Sequence, residues 1–459
     1  MINDEKIYDV LKETQTPNKA AVEDILNKAK ELDGLDQKDV AYLLQTKDPE
    51  LKQAIFDTAY QVKSDIYGKR LVLFAPLYIS NECTNNCLYC GFRSMNKELV
   101  RRTLNYEEIK EEVEILIKQG HKRILLVCGE DPKISNLEYI TKSVESVYSV
   151  KIPEGEIRRL NINCAPLDVE SFKVLKSTGI GTYQCFQETY HRETYKKMHP
   201  IGAKADYDWR LNVMDRAMEA GIEDVGIGAL FGLYDHKFEV LAMMDHIKHL
   251  EDKFGVGPHT ISFPRLEPAL NSKIAEHPPY EVSDEDFELM VAVIRLAVPY
   301  TGMILSTRES AETRDKLFNY GISQISAGSR TYPGAYKDES IGMPSEEQFS
   351  LGDTRNLDEV IYSVIEHGFI PSFCTACYRS GRTGEHFMEL AKPGDIKSFC
   401  TLNAFMSFQE YLEDFASDKT KEAGNNMINK MLNDLPSEIK NNYTEKVNQI
   451  RKGTRDLYV

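Results

Sequence analysis

Eight short apolar segments, most followed by a stretch of helical periodicity, run through the middle of this chain, and no other feature narrows the fold as much. The apolar segments cover residues 71–79, 123–129, 160–165, 182–187, 225–231, 260–264, 303–307 and 324–328. Between them, apolar residues at three- and four-residue steps mark 106–119, 169–177, 209–220, 240–253 and 284–298 as helical. Eight strands alternating with helices predict a (β/α)8 TIM barrel, an α/β fold, rather than two doubly wound sheets. Such a barrel carries its chemistry on loops leaving the carboxyl ends of the strands, which says where reactive residues are to be sought.

The flanks read differently. Residues 1–65 form a helical lead-in, the barrel is expected over 66–355, and 356–459 opens with a helical pattern at 357–367 and closes in a charged helical tail. The chain has 459 residues, with 56 Lys or Arg against 72 Asp or Glu, a formal charge of −16. That balance repels a phosphate backbone and argues against nucleic acid as a partner. No run reaches the ~18 apolar residues of a membrane span. Charges from Asp4 onward, with no apolar stretch behind them, argue against a secretory leader, so a cytoplasmic protein is expected. Nine cysteines in such a chain point to reduced thiols serving as ligands rather than to a disulfide framework.

Directly after the first strand candidate stands Cys83-Thr-Asn-Asn-Cys87-Leu-Tyr-Cys90. Three thiolates can hold three irons of a cubane [4Fe–4S] cluster and leave the fourth iron open. Zinc or simple burial are the alternatives, although a closed zinc site wants a fourth ligand and no further Cys or His lies close by. The C-x3-C-x2-C loop on the first strand of a β/α barrel resembles the radical S-adenosylmethionine (SAM) superfamily. The resemblance implies that SAM chelates the open iron and that an electron from the cluster cleaves it to methionine and a 5′-deoxyadenosyl radical. It makes Cys83, Cys87 and Cys90 the cluster ligands and puts Tyr89 near the adenine. Cys128-Gly129-Glu130 matches the motif that holds the SAM amino group, with Cys in place of its first Gly. Gln187-Glu188-Thr189-Tyr190 resembles the stretch that reaches SAM in the biotin-synthase-like and tyrosine-lyase branches, with Glu188 the contact. Arg158, Arg159 and Asn163 are further SAM candidates.

A second set of thiols, Cys374, Cys377 and Cys400, falls in the C-terminal segment as C-x2-C-x22-C. A second open-cornered iron–sulfur cluster fits it, and so does zinc through the three thiols and His386. A radical SAM barrel followed by this set resembles the HydG family of tyrosine lyases, which assemble the active-site cluster of [FeFe]-hydrogenase. The likeness includes Ser262-Phe-Pro-Arg-Leu-Glu-Pro and Leu305-Ser-Thr-Arg-Glu. It implies an auxiliary [4Fe–4S] cluster carrying an additional iron through a sulfur bridge and a non-protein cysteine, held by a histidine. His259, at the amino end of the sixth strand, is that candidate. The chemistry implied starts with hydrogen abstraction from the amino group of L-tyrosine and cleavage of its Cα–Cβ bond. The p-cresol side chain departs, and dehydroglycine travels down the barrel to become CO and cyanide on iron.

For the tyrosine carboxylate a cationic fork is needed. Arg308, beside Ser306 and Thr307 at the end of the seventh strand, has the chemistry for it, with Arg265 second; ion pairs with Glu309 or Glu267 are the competing use of both. Cys128, Cys164 and Cys185 read as buried core residues. An electron donor of the flavodoxin or ferredoxin class, a scaffold GTPase and a second radical SAM maturase are implied as partners. The rival readings are a 2-iminoacetate synthase of thiazole biosynthesis, which has no need of the second thiol set, and a non-catalytic cluster carrier, against which Gly129-Glu130 and Gln187-Glu188 argue.

Overall fold

The computed structural model describes residues 1–338, 346–433 and 437–459, apart from the side chains of 438 and 439; residues 339–345, inside the span expected for the barrel, lie outside the described residues. All eight expected strands form: β1 Arg70–Ser80, β2 Arg123–Cys128, β3 Arg159–Asn163, β4 Tyr183–Gln184, β5 Val225–Gly228, β6 Thr260–Ser262, β7 Gly302–Leu305 and β8 Gln324–Ser326. Each pairs in parallel with the next, and β8 returns to β1 with Val72 opposite Gln324, which closes the barrel. The strands are buried almost throughout, as parallel strands covered by helices must be.

The lead-in is helical as expected, with helices Asp4–Glu13, Lys19–Ala29, Gln37–Leu44 and Pro49–Tyr67. Asn3, Asn18, Asp36 and Asp48 cap them by accepting from first-turn N–H groups. Helix Pro49–Tyr67 packs along Asp284–Ala297, which is buried from Phe287 onward because it lies between the barrel and the lead-in.

The C-terminal segment departs from the expectation in one respect. Besides helices Leu357–Glu366, Ile396–Asp414, Asp418–Asn433 and Ser437–Arg451, it contributes a strand, β9, at Ile370–Ser372. This strand pairs with the amino end of β1, Arg70 opposite Ile370 and Val72 opposite Ser372. A three-residue strand of Ile, Pro and Ser carries no periodicity of its own, and it exists because β1 offers a free edge there. At its other end β1 slips register between Tyr78 and Ser80, a bulge from which the chain departs into the Cys83 loop. One strand thus leads to the first thiol set and anchors the second.

Candidate active site and second cysteine site

At the carboxyl ends of the strands lies a cavity with an open volume of about 1400 Å³. Cys83, Cys87 and Cys90 line it, together with Tyr89, Gly129 and Glu130. Asn163, Glu188, Ser306 and Arg308 complete the expected set around the same space. The thiol loop is held at three points: Thr84 N–H donates to Glu130 O (3.0 Å), Asn86 to Ile201 O (3.0 Å) and Leu88 to Met198 O (3.0 Å). A Cβ at position 129 would stand 2.2 Å from the Glu82 carbonyl oxygen, so only glycine lets the β2 loop close on the thiol loop. Burial pushes Cys83 and Cys90 up to about 11 and Cys87 to about 12, so the thiols stay protonated until a metal takes the proton's place.

Two carboxylates face this cavity, each with a buried cation. Glu130 accepts from Arg210 Nη1 (2.9 Å) and Asn85 Nδ2 (2.7 Å). Burial favours its neutral acid, but Arg210 and Lys204 outweigh it and hold its pKa below the ordinary value. Glu188 accepts from Lys204 Nζ at 2.6 Å and adopts φ +69°, a left-handed conformation that is costly outside glycine and aims the side chain inward. The Tyr89 hydroxyl lies 2.9 Å from His199 Nε2, which fixes its ring at the edge of the thiol loop. Carboxylates beside an open-cornered thiol set are the acceptors that a ligand bearing an ammonium and a sulfonium requires, and SAM fits them.

Arg308 is half-buried and stands over the Phe349 ring, 3.3 Å from its centroid, and among the described residues no carboxylate lies within ion-pairing distance of it. It is free to receive an anion. Arg265 is not. It is engaged by Glu309, by Asp284 (2.8 Å) and by the Phe287 ring, and it does not line the cavity. The sequence expectation for Arg265 is corrected: its charge is spent on neighbours on the flank of the barrel.

A second, smaller cavity opens at the amino ends of the strands. Cys374, Cys377, Cys400 and His259 all line it. Cys374 follows β9, Cys377 sits on helix Ala376–Arg379 and Cys400 on helix Ile396–Asp414, so strand pairing with β1 positions the set. His386 is exposed and lies off this cavity, so the zinc set through it does not assemble. Among the described residues no three His, Cys, Asp or Glu side chains converge on one ion, whereas a cubane takes thiolates spread wider than the ~3.8 Å of tetrahedral zinc.

Arg159 and Arg158 also require correction. Arg159 starts β3, at the far end from Asn163, and at ~3.3 Å per residue that places it about 13 Å below the SAM cavity. It lines the lower cavity, pairs with Asp224 (3.0 Å) and lies 4.9 Å over the Tyr378 ring. Arg158 is tied to Glu410 (3.0 Å) and Asp456 (3.2 Å) of the C-terminal segment. Arg70 and Arg123 join Arg159 around the thiols, and Arg123 Nη1 donates to Cys374 O at 2.7 Å. Burial, then the nearby Arg159, presses Arg123 down to about 9. Three guanidiniums, those of Arg123 and Arg159 on buried residues, stand against one carboxylate, Asp224, an excess of positive charge that a thiolate-bound iron–sulfur cluster would offset. Burial likewise presses His259 down to about 4, leaving the neutral imidazole that metals bind.

Residues 77–247 match the Radical SAM superfamily model and 262–370 match the Biotin and Thiamin Synthesis associated domain. A 2-iminoacetate synthase of Salmonella typhimurium is 31% identical over 353 residues, 77% of this chain and 89% of that protein. The crystal structure of HydG, a maturase of the [FeFe]-hydrogenase, superposes with a TM-score of 0.96 at 50% identity, over 100% of this chain and 99% of that one. The chain belongs to the HydG family. HydG of Carboxydothermus hydrogenoformans, at 42% identity, covers 97% of both chains with a TM-score of 0.84. Membership of this radical SAM family makes the chain an enzyme that uses SAM and a [4Fe–4S] cluster. No helix among the described residues is long and apolar enough to cross a membrane.

Sequence reasoning passed over Lys204 and Arg210 above, and Arg70, Arg123 and Asp224 below. A signal for the lower set was present: β1, β2 and β3 each open on an arginine, three cations at the same end of adjacent strands.

Proposed function

We propose that the chain is an L-tyrosine lyase that cleaves the Cα–Cβ bond to p-cresol and dehydroglycine, and that the latter yields CO and cyanide bound to iron as a synthon for the [FeFe]-hydrogenase active site. The observation that carries this reading is the pair of thiol sets at opposite mouths of one barrel. Cys83, Cys87 and Cys90 would hold the cluster that binds SAM, with Glu130, Glu188, Tyr89, Gly129 and Asn163 around SAM itself. Bound together, cluster and SAM supply a 5′-deoxyadenosyl radical. Before that, Arg308 and Ser306 would hold the tyrosine carboxylate and place the amino group within the radical's reach. Cys374, Cys377 and Cys400 would hold the auxiliary [4Fe–4S] cluster, with His259 on the additional iron that carries a non-protein cysteine.

The route between the sites is short. Val72 lines the lower cavity and Phe74 the upper; Gly302 and Ile304 divide in the same way, as do Gln324 and Ser326. Each pair is two residues apart on one strand, a single side-chain layer of about 7 Å. Gln184, Gly226, Thr260, Gly302 and Gln324 meet at that layer, where an ordinary barrel stacks Val, Ile and Leu. A small polar product is suited to pass there.

We further read 1–65 as lead-in, 66–355 as catalytic barrel and 356–459 as auxiliary-cluster domain, at work in the cytoplasm. An electron carrier of the flavodoxin or ferredoxin class, a scaffold GTPase and a second radical SAM maturase are the partners proposed. Anaerobic incubation of iron-reconstituted protein with SAM, dithionite and carbon-13 tyrosine tests the reading. Labelled CO together with p-cresol is expected. p-Cresol with glyoxylate and no CO, from protein whose auxiliary cluster is full, would make the chain a 2-iminoacetate synthase instead.

A further inference from the structure

Of the two His259 ring nitrogens, one is enclosed and the other is open. Nδ1 is fully buried and makes no well-aligned hydrogen bond; Asp224 Oδ1 lies beside it, 3.4 Å away. Nε2 has no bonding partner among the described residues and is not enclosed as Nδ1 is, and the ring lines the lower cavity. The Phe387 ring, 4.8 Å off, backs the imidazole.

Asp224 is itself held on two sides. Arg159 Nη2 donates to Oδ2 (3.0 Å) and the Gly384 N–H, at the start of helix Gly384–Ala391, donates to Oδ1 (3.3 Å). Arg159 is braced in turn by Thr182 Oγ1 (2.7 Å), Asn161 Oδ1 (3.0 Å) and the ring of Tyr378, the residue after Cys377. A carboxylate fixed this firmly cannot swing away from Nδ1. A ring nitrogen facing a carboxylate carries the proton, and the other nitrogen is then left with its lone pair exposed.

We infer that Asp224 is a positioning residue which, by accepting from Nδ1–H, locks His259 in one tautomer and presents Nε2 to the lower cavity as a metal donor. The inference rests on the proposed iron-binding role of His259 and adds what selects the nitrogen. It also explains why a C-terminal helix reaches the carboxylate: Gly384 couples the seating of the thiol segment to the orientation of the histidine on the barrel.

The test separates tautomer from iron. Removing Asp224 alone would leave Arg159 buried and unpaired, so two double variants are compared, R159M/D224N and R159M/D224A, which differ in the acceptor at position 224. In protein carrying nitrogen-15 in its histidine rings and no metal, NMR of wild type and R159M/D224N should show His259 protonated on Nδ1. In R159M/D224A the proton should move to Nε2 or divide between the two. After iron reconstitution, Mössbauer spectra should show both cubanes in every variant, which also checks the fold, with binding of the additional iron weakened roughly 10–100-fold in R159M/D224A and restored in R159M/D224N. An Nε2–H tautomer in wild type, or an unchanged tautomer in R159M/D224A, overturns the inference. If the tautomer responds as described while wild type holds no iron beyond the cubanes, the iron reading of His259 falls and the positioning role stands.

Discussion

The upper and lower sites each gather three cysteines but set them in different electrostatic surroundings. The upper site takes its cysteines from a single loop of eight residues, Cys83 to Cys90, and balances Glu130 and Glu188 against Arg210 and Lys204. Both carboxylates are paired and face inward, and Arg308 is left over in the same cavity for an anionic group, which suits a sulfonium amino acid and an amino-acid substrate that must be taken up and released. The lower site draws on a strand end and two helices, and sets Arg70, Arg123 and Arg159 against Asp224 alone. An excess of buried positive charge suits an anionic assembly held through many turnovers. The difference teaches that equal thiol counts leave the two sites alike, and that the surrounding charge is what separates the roles proposed for them.

The largest effects should come from breaking one site at a time. A Cys87→Ala variant is expected to lose SAM cleavage altogether, and with it every product. Replacing Cys377 and Cys400 by Ala should leave p-cresol formation measurable while abolishing iron-bound CO, read by infrared spectroscopy. Loss of SAM cleavage in the double variant as complete as in Cys87→Ala would mean that the two sites are not separate compartments.

Within the upper site, Arg308 sharpens the division between binding SAM and binding substrate. Arg308→Lys keeps the charge and loses the planar fork, which costs about 1.5–3 kcal/mol at a carboxylate and predicts a rise in the KM for tyrosine of roughly 10–100-fold. SAM binding should not change, and a parallel loss of SAM affinity would place Arg308 on the wrong ligand. The layer between the sites is probed by Gly302→Ala. The added Cβ would stand 2.3 Å from Gln324 Nε2, so the amide must shift within the layer that divides the two cavities. p-Cresol should form near the wild-type rate while the ratio of CO to p-cresol falls several-fold and glyoxylate rises; an unchanged ratio would show that the product does not cross there.

The upper site was more legible in the sequence than the lower, for a physical reason. Its thiols, Gly129-Glu130 and Glu188 are each contiguous motifs at strand ends, and a barrel brings strand ends together whatever the loops do. The lower site depends on β9, whose three residues become a strand only against β1, and on arginines whose direction along a strand decides which mouth they serve. Arg159 and Asn163 share one face of β3 and differ only in height, so sequence alone assigned both to SAM. Lys204 and Arg210 lie in a loop and a short helix, with no motif to flag them. Their roles come from the carboxylates they meet in space.

The smallest effect separates the sites through their supporting shells. Glu239 is buried behind the Glu188 loop, where it accepts from the Thr189 hydroxyl and from Tyr190 N–H (2.7 Å). Burial pushes its pKa up to about 8 against the pull of those two bonds. In the unfolded chain the same carboxyl ionises near ~4.3, so between that pH and about 8 the folded protein binds the extra proton, and stability falls as pH rises through this window. Glutamine mimics the neutral acid at every pH. The Tm of Glu239→Gln should therefore match wild type at about pH 4 and exceed it increasingly toward pH 8, by a difference on the order of a few degrees. SAM affinity should follow the same course, since the Glu188 loop rests on this contact, while iron retention in the lower site stays level. A lower site that tracked the pH dependence as closely as the upper would mean that the two are mechanically one, and that the charge contrast between them does not divide their functions.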